Sequence, residues 1–402
     1  MAKKKYRIAS LFSGCGGLDL GFTGGFCFLG KDYKRLNTTI VFANDFDADA
    51  CKCYNANPLL VKDGEECILD DIRNVDANSI PDFDILLAGF PCQPFSNAGN
   101  RKGVNDDNGR GTLFEECERI IQAKIDSDKR PKAFLFENVR GILSSKMPDG
   151  ETTVPQEIQK RMESLDYNVS IKLVCSSDYG VPQHRYRVLI VGVDNKLGKD
   201  AFNFDSLIDV VNKYHIPSTL TGKEENLLLG YILKGVHEQD DDVVWDYSAT
   251  TQRTVELIGG CQHGQEAMDF FYEGYSKQDL PPNVFEGRSW KNIPYEMLSP
   301  RFKKIADDPK RYHAPKFFRR FAFGEINGTI TASAQPENCG ITHPVENRRY
   351  SVREIARIQS FPDNYTFGAI PIQSRYKVIG NAVPPILGWV IANALLNFLP
   401  ED

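Results

Sequence analysis

Tyr6 to Gly21 reads YRIASLFSGCGGLDLG. Tyr6 to Phe12 is an apolar run of strand length. The glycines that follow let backbone N–H groups approach a ligand where a helix opens. A strand, a glycine-rich turn and a helix in that order make the first unit of an open α/β sheet, which carries its sites at the carboxyl ends of its strands. The spacing is not GxGxxG, because Asp19 stands where the third glycine would be. That departure counts against a pyrophosphate. A carboxylate can instead hold a cationic or amino-acid-like group.

Working outward, apolar strand-like runs recur at Thr39 to Ala43, Asp84 to Ala88, Ala133 to Phe136 and Arg187 to Val193. Helical patterns lie between them, as at Leu113 to Lys124 and Pro155 to Leu165. The alternation predicts a parallel sheet covered by helices on both faces. After Val193 the chain turns irregular, with an acidic stretch at Glu238 to Asp242. Helical regularity returns at Ser351 to Gln359 and at Val383 to Phe398, which has an apolar stripe. The expected division is 1–196 for a first catalytic and cofactor-binding part, 197–349 for a second domain, and 350–402 for a segment returning to the first.

The chain has 402 residues, a formal net charge of −6 and ten scattered cysteines. No CxxC pair occurs, and Cys51 and Cys53 have no partner cluster to complete a zinc site, so reduced thiols and no metal centre are expected. The basic start lacks the sustained apolar stretch of a signal peptide, and no window reaches membrane-spanning length. The net charge argues against a generally basic nucleic-acid binder. Between Arg288 and Arg320, however, ten bases face three acids. Aromatics are interleaved there, at Trp290, Tyr295, Phe302, Tyr312, Phe317, Phe318 and Phe321. A phosphate backbone would be attracted to such a segment.

Gly89 to Ser96 reads GFPCQPFS, directly after the apolar run that ends at Ala88. Cys92 sits between Pro91 and Pro94, rigidly presented at a strand end, and is a candidate nucleophile. The second strand ends in Asn44-Asp45, where an acid can accept hydrogen bonds from a ribose diol. Asp71-Ile72 can bracket an adenine ring. Glycine turn, ribose acid and second acid, in chain order, point to S-adenosylmethionine.

Eight motifs together resemble the DNA cytosine-5 methyltransferases: FSGCGGLDLG from Phe12, NDFD from Asn44, DI at Asp71, GFPCQPFS from Gly89, FENV from Phe136, QHRYR from Gln183, REIARIQSFPD from Arg353 and GNAVPP from Gly380. Each is weak alone, and the ordered set is specific. The resemblance implies a Rossmann-like S-adenosylmethionine-dependent α/β domain with a smaller, irregular target-recognition domain between QHRYR and REIARIQSFPD. Cys92 would add to C6 of cytosine so that C5 can take a methyl group. Glu137 would donate toward N3, with Asn138 orienting it, and burial would favour the donor form. Arg185, with Arg187 close behind, would hold the cytosine O2.

Cofactor contacts are expected from Phe12, Gly14, Gly16, Gly17 and Leu18 at the turn, and from Asp45 and Phe46 after the second strand. Asp71 and Ile72, Pro91 and Leu113, and Asn381 and Ala382 complete that set. The target base must be flipped out of the duplex. The loop Ser96 to Thr112, with Arg101, Lys102 and Arg110, suits a lid over it. DNA contacts are expected from Gln93, Ser96, Arg101, Gln183, Arg288, Arg301, Lys316, Arg319, Arg320 and Thr329. Thr329-Ile330 resembles the Thr-Leu pair that ends the family's recognition domain.

The function expected is sequence-specific methylation of cytosine C5 in double-stranded DNA. A tRNA cytosine-5 methyltransferase is disfavoured by the absence of a CFT tripeptide and by the large recognition region. An idle DNA-binding regulator is disfavoured by the intact Cys92, Glu137 and Arg185. A thiol hydrolase lacks a histidine partner outside the QHRYR motif. A monomer in the bacterial cytoplasm is expected, with no membrane. A cognate restriction endonuclease would act on the same site without a stable complex.

Overall fold

The computed structural model describes residues 5–62, 64–91, 113–236, 243–261, 265–275, 277–280, 282–308 and 316–400. Cys92 and the whole loop to residue 112 lie outside the described residues, as do Gln93, Ser96 and Arg101.

Seven strands form the main sheet: β1 (Tyr6–Leu11), β2 (Thr38–Asp45), β3 (Cys67–Leu69), β4 (Ile85–Ala88), β5 (Ala133–Val139), β6 (Tyr167–Cys175) and β7 (Tyr186–Asp194). Their order across the sheet is β3-β2-β1-β4-β5-β7-β6. The first five run parallel. β7 runs antiparallel to both β5 and β6, which corrects the expectation of a wholly parallel sheet. β6 was not read as a strand, because it alternates Val169, Ser170, Ile171, Lys172 and Leu173, the period-two pattern of a half-exposed strand, instead of showing an unbroken apolar run. It turns back through a short 3₁₀ segment, Ser176–Tyr179, and this return reverses β7.

The sheet is buried on both faces, which is why its central strands read as unbroken apolar runs. Side chains alternate between two cores. Ile8, Ile85, Leu87, Leu135 and Leu189 face one. Ala9, Leu86, Ala88, Phe134, Phe136 and Val188 face the other. The second core is closed by helices Phe114–Asp126 and Val154–Ser164, through Cys117, Ile121, Ile158 and Met162. The first is closed by α1 (Gly17–Thr23) and by the C-terminal α2 (Pro385–Phe398). The expectation that no window reaches membrane-spanning length is corrected: Ile372–Phe398 is long enough and contains an apolar window, but that window is 94% buried inside the protein.

α1 and α2 cross where two glycines meet. A Cβ on Gly21 would lie 2.7 Å from the backbone of Gly388. This contact brings the chain's end back onto its first strand–turn–helix unit. Helix Ser206–Lys213 also belongs to this layer. Leu207, Val210 and Val211 join the first core, Phe202 packs on Phe398 and Tyr214 on Trp389. Residues 202–216 thus pack with the sheet layer and on α2.

That region carries a small core of its own: Ile258, Trp290, Ile293, Leu298, Phe302, Ile305, Phe317 and Phe318. The aromatics interleaved with the basic residues are mostly interior packing, not a stacking surface. Tyr295 is the exposed exception among those described.

Candidate active site

The glycine-rich turn is tied to the end of β2. Ser13 donates its backbone N–H to the Asn44 carbonyl at 3.0 Å, and Gly14 donates to Asp45 Oδ2 at 2.8 Å. Asp45 Oδ1 accepts from Asp47 N at 2.8 Å. Burial pushes the Asp45 carboxyl up, and these N–H groups oppose the shift. Gly16 has φ 80°, and a Cβ there would meet Leu60 at 2.3 Å. A Cβ on Gly17 would meet the Val383 carbonyl at 2.3 Å and Ala382 Cβ at 3.3 Å. Only glycine fits either position.

Beside the turn opens a cavity of about 290 Å³ lined by Phe12, Asn44, Phe46, Asp70, Asp71, Ile72, Arg73, Pro91 and Leu113. Phe12, Phe46, Asp71, Ile72, Pro91 and Leu113, all named from the sequence, converge here from five chain segments. The Phe46 ring is 63% exposed and Ile72 is buried. The Arg73 guanidinium beside Asp71, at 2.5 and 2.9 Å, holds that carboxyl below its usual range. A free aromatic face, an apolar wall and an ionised acid fit an adenosine. Gly14, Gly16, Gly17, Leu18, Asp45, Asn381 and Ala382 do not line the cavity. The glycines and Asp45 shape the turn, and Ala382 rests against Gly17. Asn44, Asp70 and Arg73 were missed, although Asn44 opens the NDFD motif and the other two flank Asp71-Ile72.

Asp19 does not reach this cavity. It is fully buried and accepts from Ser10 Oγ at 2.7 Å and the Tyr54 hydroxyl at 2.9 Å. The expectation that it holds a cationic or amino-acid-like group is therefore corrected. Burial pushes its carboxyl up to about 6.

Across the sheet, Glu137 stands near the carboxyl end of β5. Arg187 on β7 places its Nε 2.6 Å from Glu137 Oε1. Arg187 Nη1 also donates to the Tyr186 carbonyl at 2.8 Å. Gly89 passes beside this pair: a Cβ there would lie 3.8 Å from Glu137 Oε2. Asn138 does not orient Glu137. Its Nδ2 points to the Phe90 carbonyl at 3.4 Å and its Oδ1 accepts from Val139 N. It thereby anchors the segment that leads to Cys92.

Arg185 was expected to lead at the base, with Arg187 behind it. The geometry separates them. Arg185 is buried and donates to the carbonyls of Ile330 at 2.8 Å and Gly380 at 3.0 Å. It joins the sheet to two later segments, while Arg187 faces the acid. Arg187 lies in β7, while Arg185 precedes the strand's first residue. The spacing in QHRYR does not reveal which of them meets a carboxylate.

The profile of the C-5 cytosine-specific DNA methylase family matches residues 6–397. The chain belongs to that family. It is a DNA cytosine-5-methyltransferase, with S-adenosylmethionine as methyl donor and DNA as substrate. The methyltransferase is 42% identical over 430 residues to the Type II methyltransferase M.BanI of Aneurinibacillus aneurinilyticus, covering 94% of this chain and 93% of that one. It is 31% identical over 395 residues to M.FnuDI of Fusobacterium nucleatum, covering 98% and 95%. Two solved structures share its fold. One is the methyltransferase EhMeth of Entamoeba histolytica, with TM-score 0.58, 15% identity and 98% and 99% coverage. The other is a putative DNA modification methyltransferase encoded within an E. coli prophage, with TM-score 0.57, 20% identity and the same coverage.

Several residues of the methyltransferase expected to touch DNA are engaged elsewhere. Gln183 is fully buried. It donates to Gln359 Oε1 at 2.9 Å and accepts from Ile330 N at 2.9 Å, bridging three segments. Arg320 is 1% exposed and donates to Val345 O and Asn347 Oδ1. Both are corrections: these side chains hold the protein together. Arg288 donates to the Ile258 carbonyl at 2.6 Å, and Arg319 pairs with Glu325 over the Phe321 ring. Arg301 stays 64% exposed. Thr329 donates to the His184 carbonyl at 2.8 Å, with Lys316 beside it.

Proposed function

We propose that Cys92 is the nucleophile of this DNA cytosine-5-methyltransferase and that Glu137 and Arg187 serve the base it attacks. The observation that carries this reading is the Glu137–Arg187 pair beside Gly89, three residues before Cys92. The Cys92 thiolate adds to C6, and Glu137 donates a proton at N3, so that electron density reaches C5. Arg187 lies where a guanidinium can hold O2 and stabilise the adduct. S-adenosylmethionine would supply the methyl group, and Phe12, Phe46, Asp71, Ile72, Pro91 and Leu113 would hold it. Loss of the C5 proton then expels the Cys92 thiolate. Gly14, Gly16, Gly17 and Asp45 keep the turn in shape, and Arg185 is a positioning residue.

The recognition region is proposed to run from about residue 217 to 349, starting later than composition implied, because residues 202–216 pack on α2. The Type II names of the relatives support sequence-specific modification, beside an endonuclease that acts on the same site without a stable complex. A monomer in the bacterial cytoplasm accords with one target strand modified per event.

A duplex carrying 5-fluorocytosine at the target, with S-adenosylmethionine, tests the assignment. The wild-type protein is expected to form a covalent complex that Cys92→Ser does not. Failure of the wild type to trap on its methylated site overturns the nucleophile. Sequencing of methylated DNA from cells that express the protein identifies that site.

A further inference from the structure

Lys316 Nζ lies 3.3 Å from Thr329 Oγ1 and 3.4 Å from the His184 carbonyl. Both partners are neutral, and both distances exceed those typical of a charge-assisted hydrogen bond. Among the described residues no carboxylate stands within ion-pair distance of it. The groups that face it are the guanidiniums of Arg185 and Arg319, the thiols of Cys175 and Cys339, and the His184 ring. Burial lowers its pKa to about 8, and the two guanidiniums add to the effect. A half-buried ammonium without a counter-charge carries a desolvation cost that an anion at its open side would relieve.

The lysine is also built in. Its stem crosses Gly328, where a Cβ would lie 2.6 Å from Lys316 Cδ, Cε and Nζ. Gly328 pairs with His184 in a two-residue parallel ladder, Asn327–Gly328 against Gln183–His184. Arg185 and Arg187 follow directly. The ammonium is thus fixed where the recognition region meets the strand that carries Arg187.

We propose that Lys316, seated on Gly328 beside the Thr329 hydroxyl, binds a backbone phosphate of the DNA whose cytosine enters the Glu137–Arg187 site. The proposal rests on the reading of that pair as the base-binding site. The phosphate supplies the missing negative charge and replaces two long contacts with short ones. Lys316 is a positioning residue: it fixes the strand, not the reacting ring.

Binding of a duplex that contains the methylated site, measured from 50 to 200 mM salt, tests it. Lys316→Met and Gly328→Ala are each expected to reduce the slope of log affinity against log salt by about 0.9, the share of one phosphate contact. Wild-type affinity should fall as pH rises through 8, where the ammonium loses its proton, while Lys316→Arg stays level. Replacing target-strand phosphates singly by neutral methylphosphonates should find one position that weakens the wild type and leaves Lys316→Met unchanged. A wild-type profile that is flat from pH 7 to 9, or a Lys316→Met variant with the wild-type salt slope, overturns the proposal. Covalent trapping through Cys92 in the same preparations would show that the proposed function survives that outcome.

Discussion

Arg187 meets Glu137 diagonally across an antiparallel pair. Leu189 stands directly opposite Glu137 and Arg187 opposite Val139, and the guanidinium reaches back to bring Nε within 2.6 Å of Oε1. Diagonal neighbours on one face lie within reach of long side chains. Two strands thus bring the Glu137 carboxyl and the Arg187 guanidinium together at their ends, next to the Gly89–Pro91 segment.

The two arginines of QHRYR should therefore fail differently. Arg187→Ala is expected to lower kcat by about 10²–10³, the usual loss for one preorganised donor. Its cofactor affinity should stay near wild type, since Arg187 does not line the cofactor cavity. Arg185→Ala leaves buried carbonyls of Ile330 and Gly380 without their donor. It should lose about 3 kcal/mol of stability, from two orphaned acceptors. Equilibrium denaturation and steady-state kinetics on both variants separate the roles. Equal stability losses would contradict the distinction.

The glycine crossing of α1 and α2 makes a graded prediction. A Cβ on Gly21 meets Gly388 backbone at 2.7 Å, whereas one on Gly388 meets nothing closer than 3.2 Å. Gly21→Ala must push the helices apart and should cost about 1–3 kcal/mol. Gly388→Ala gains about 1 kcal/mol of helix propensity against a milder contact, and should lie close to wild type. Urea midpoints for the two variants check the order.

Much of the sheet was legible because doubly buried strands leave little freedom: Ile85–Ala88 and Ala133–Phe136 are apolar at every position. Strand β6 was not, since its half-exposed face admits Ser170 and Lys172. The cofactor cavity was legible through ordered motifs, for spacing alone could not say that Phe46 and Leu113 line one cavity. Charge was the least legible property. Arg320 and Gln183 look like DNA contacts in the sequence because a polar residue's type does not fix where its side chain points. Trp290, Phe302, Phe317 and Phe318 look available for stacking until their burial in one small core is known. The Lys316 environment depends on Gly328 and His184, which are distant in sequence from one another.

The buried acid beneath the cofactor turn gives the last prediction. Asp19 is held by Ser10 and Tyr54, and Ser10 Oγ in turn accepts from Ser13 Oγ at 3.0 Å, so the acid is linked to the turn itself. Burial raises its pKa from an ordinary 3.8 to about 6. Between those values the folded protein holds a proton that the unfolded chain has released, so stability falls as pH rises through the window. The full effect of a two-unit shift is about 3 kcal/mol. Asp19→Asn keeps a similar shape and cannot ionise, so its stability relative to wild type should climb between pH 4 and pH 6.5 and then level off. Urea denaturation of both proteins at closely spaced pH values measures that difference. A difference that is constant across the window would mean that Asp19 stays ionised in the folded core, held by its two hydroxyl donors.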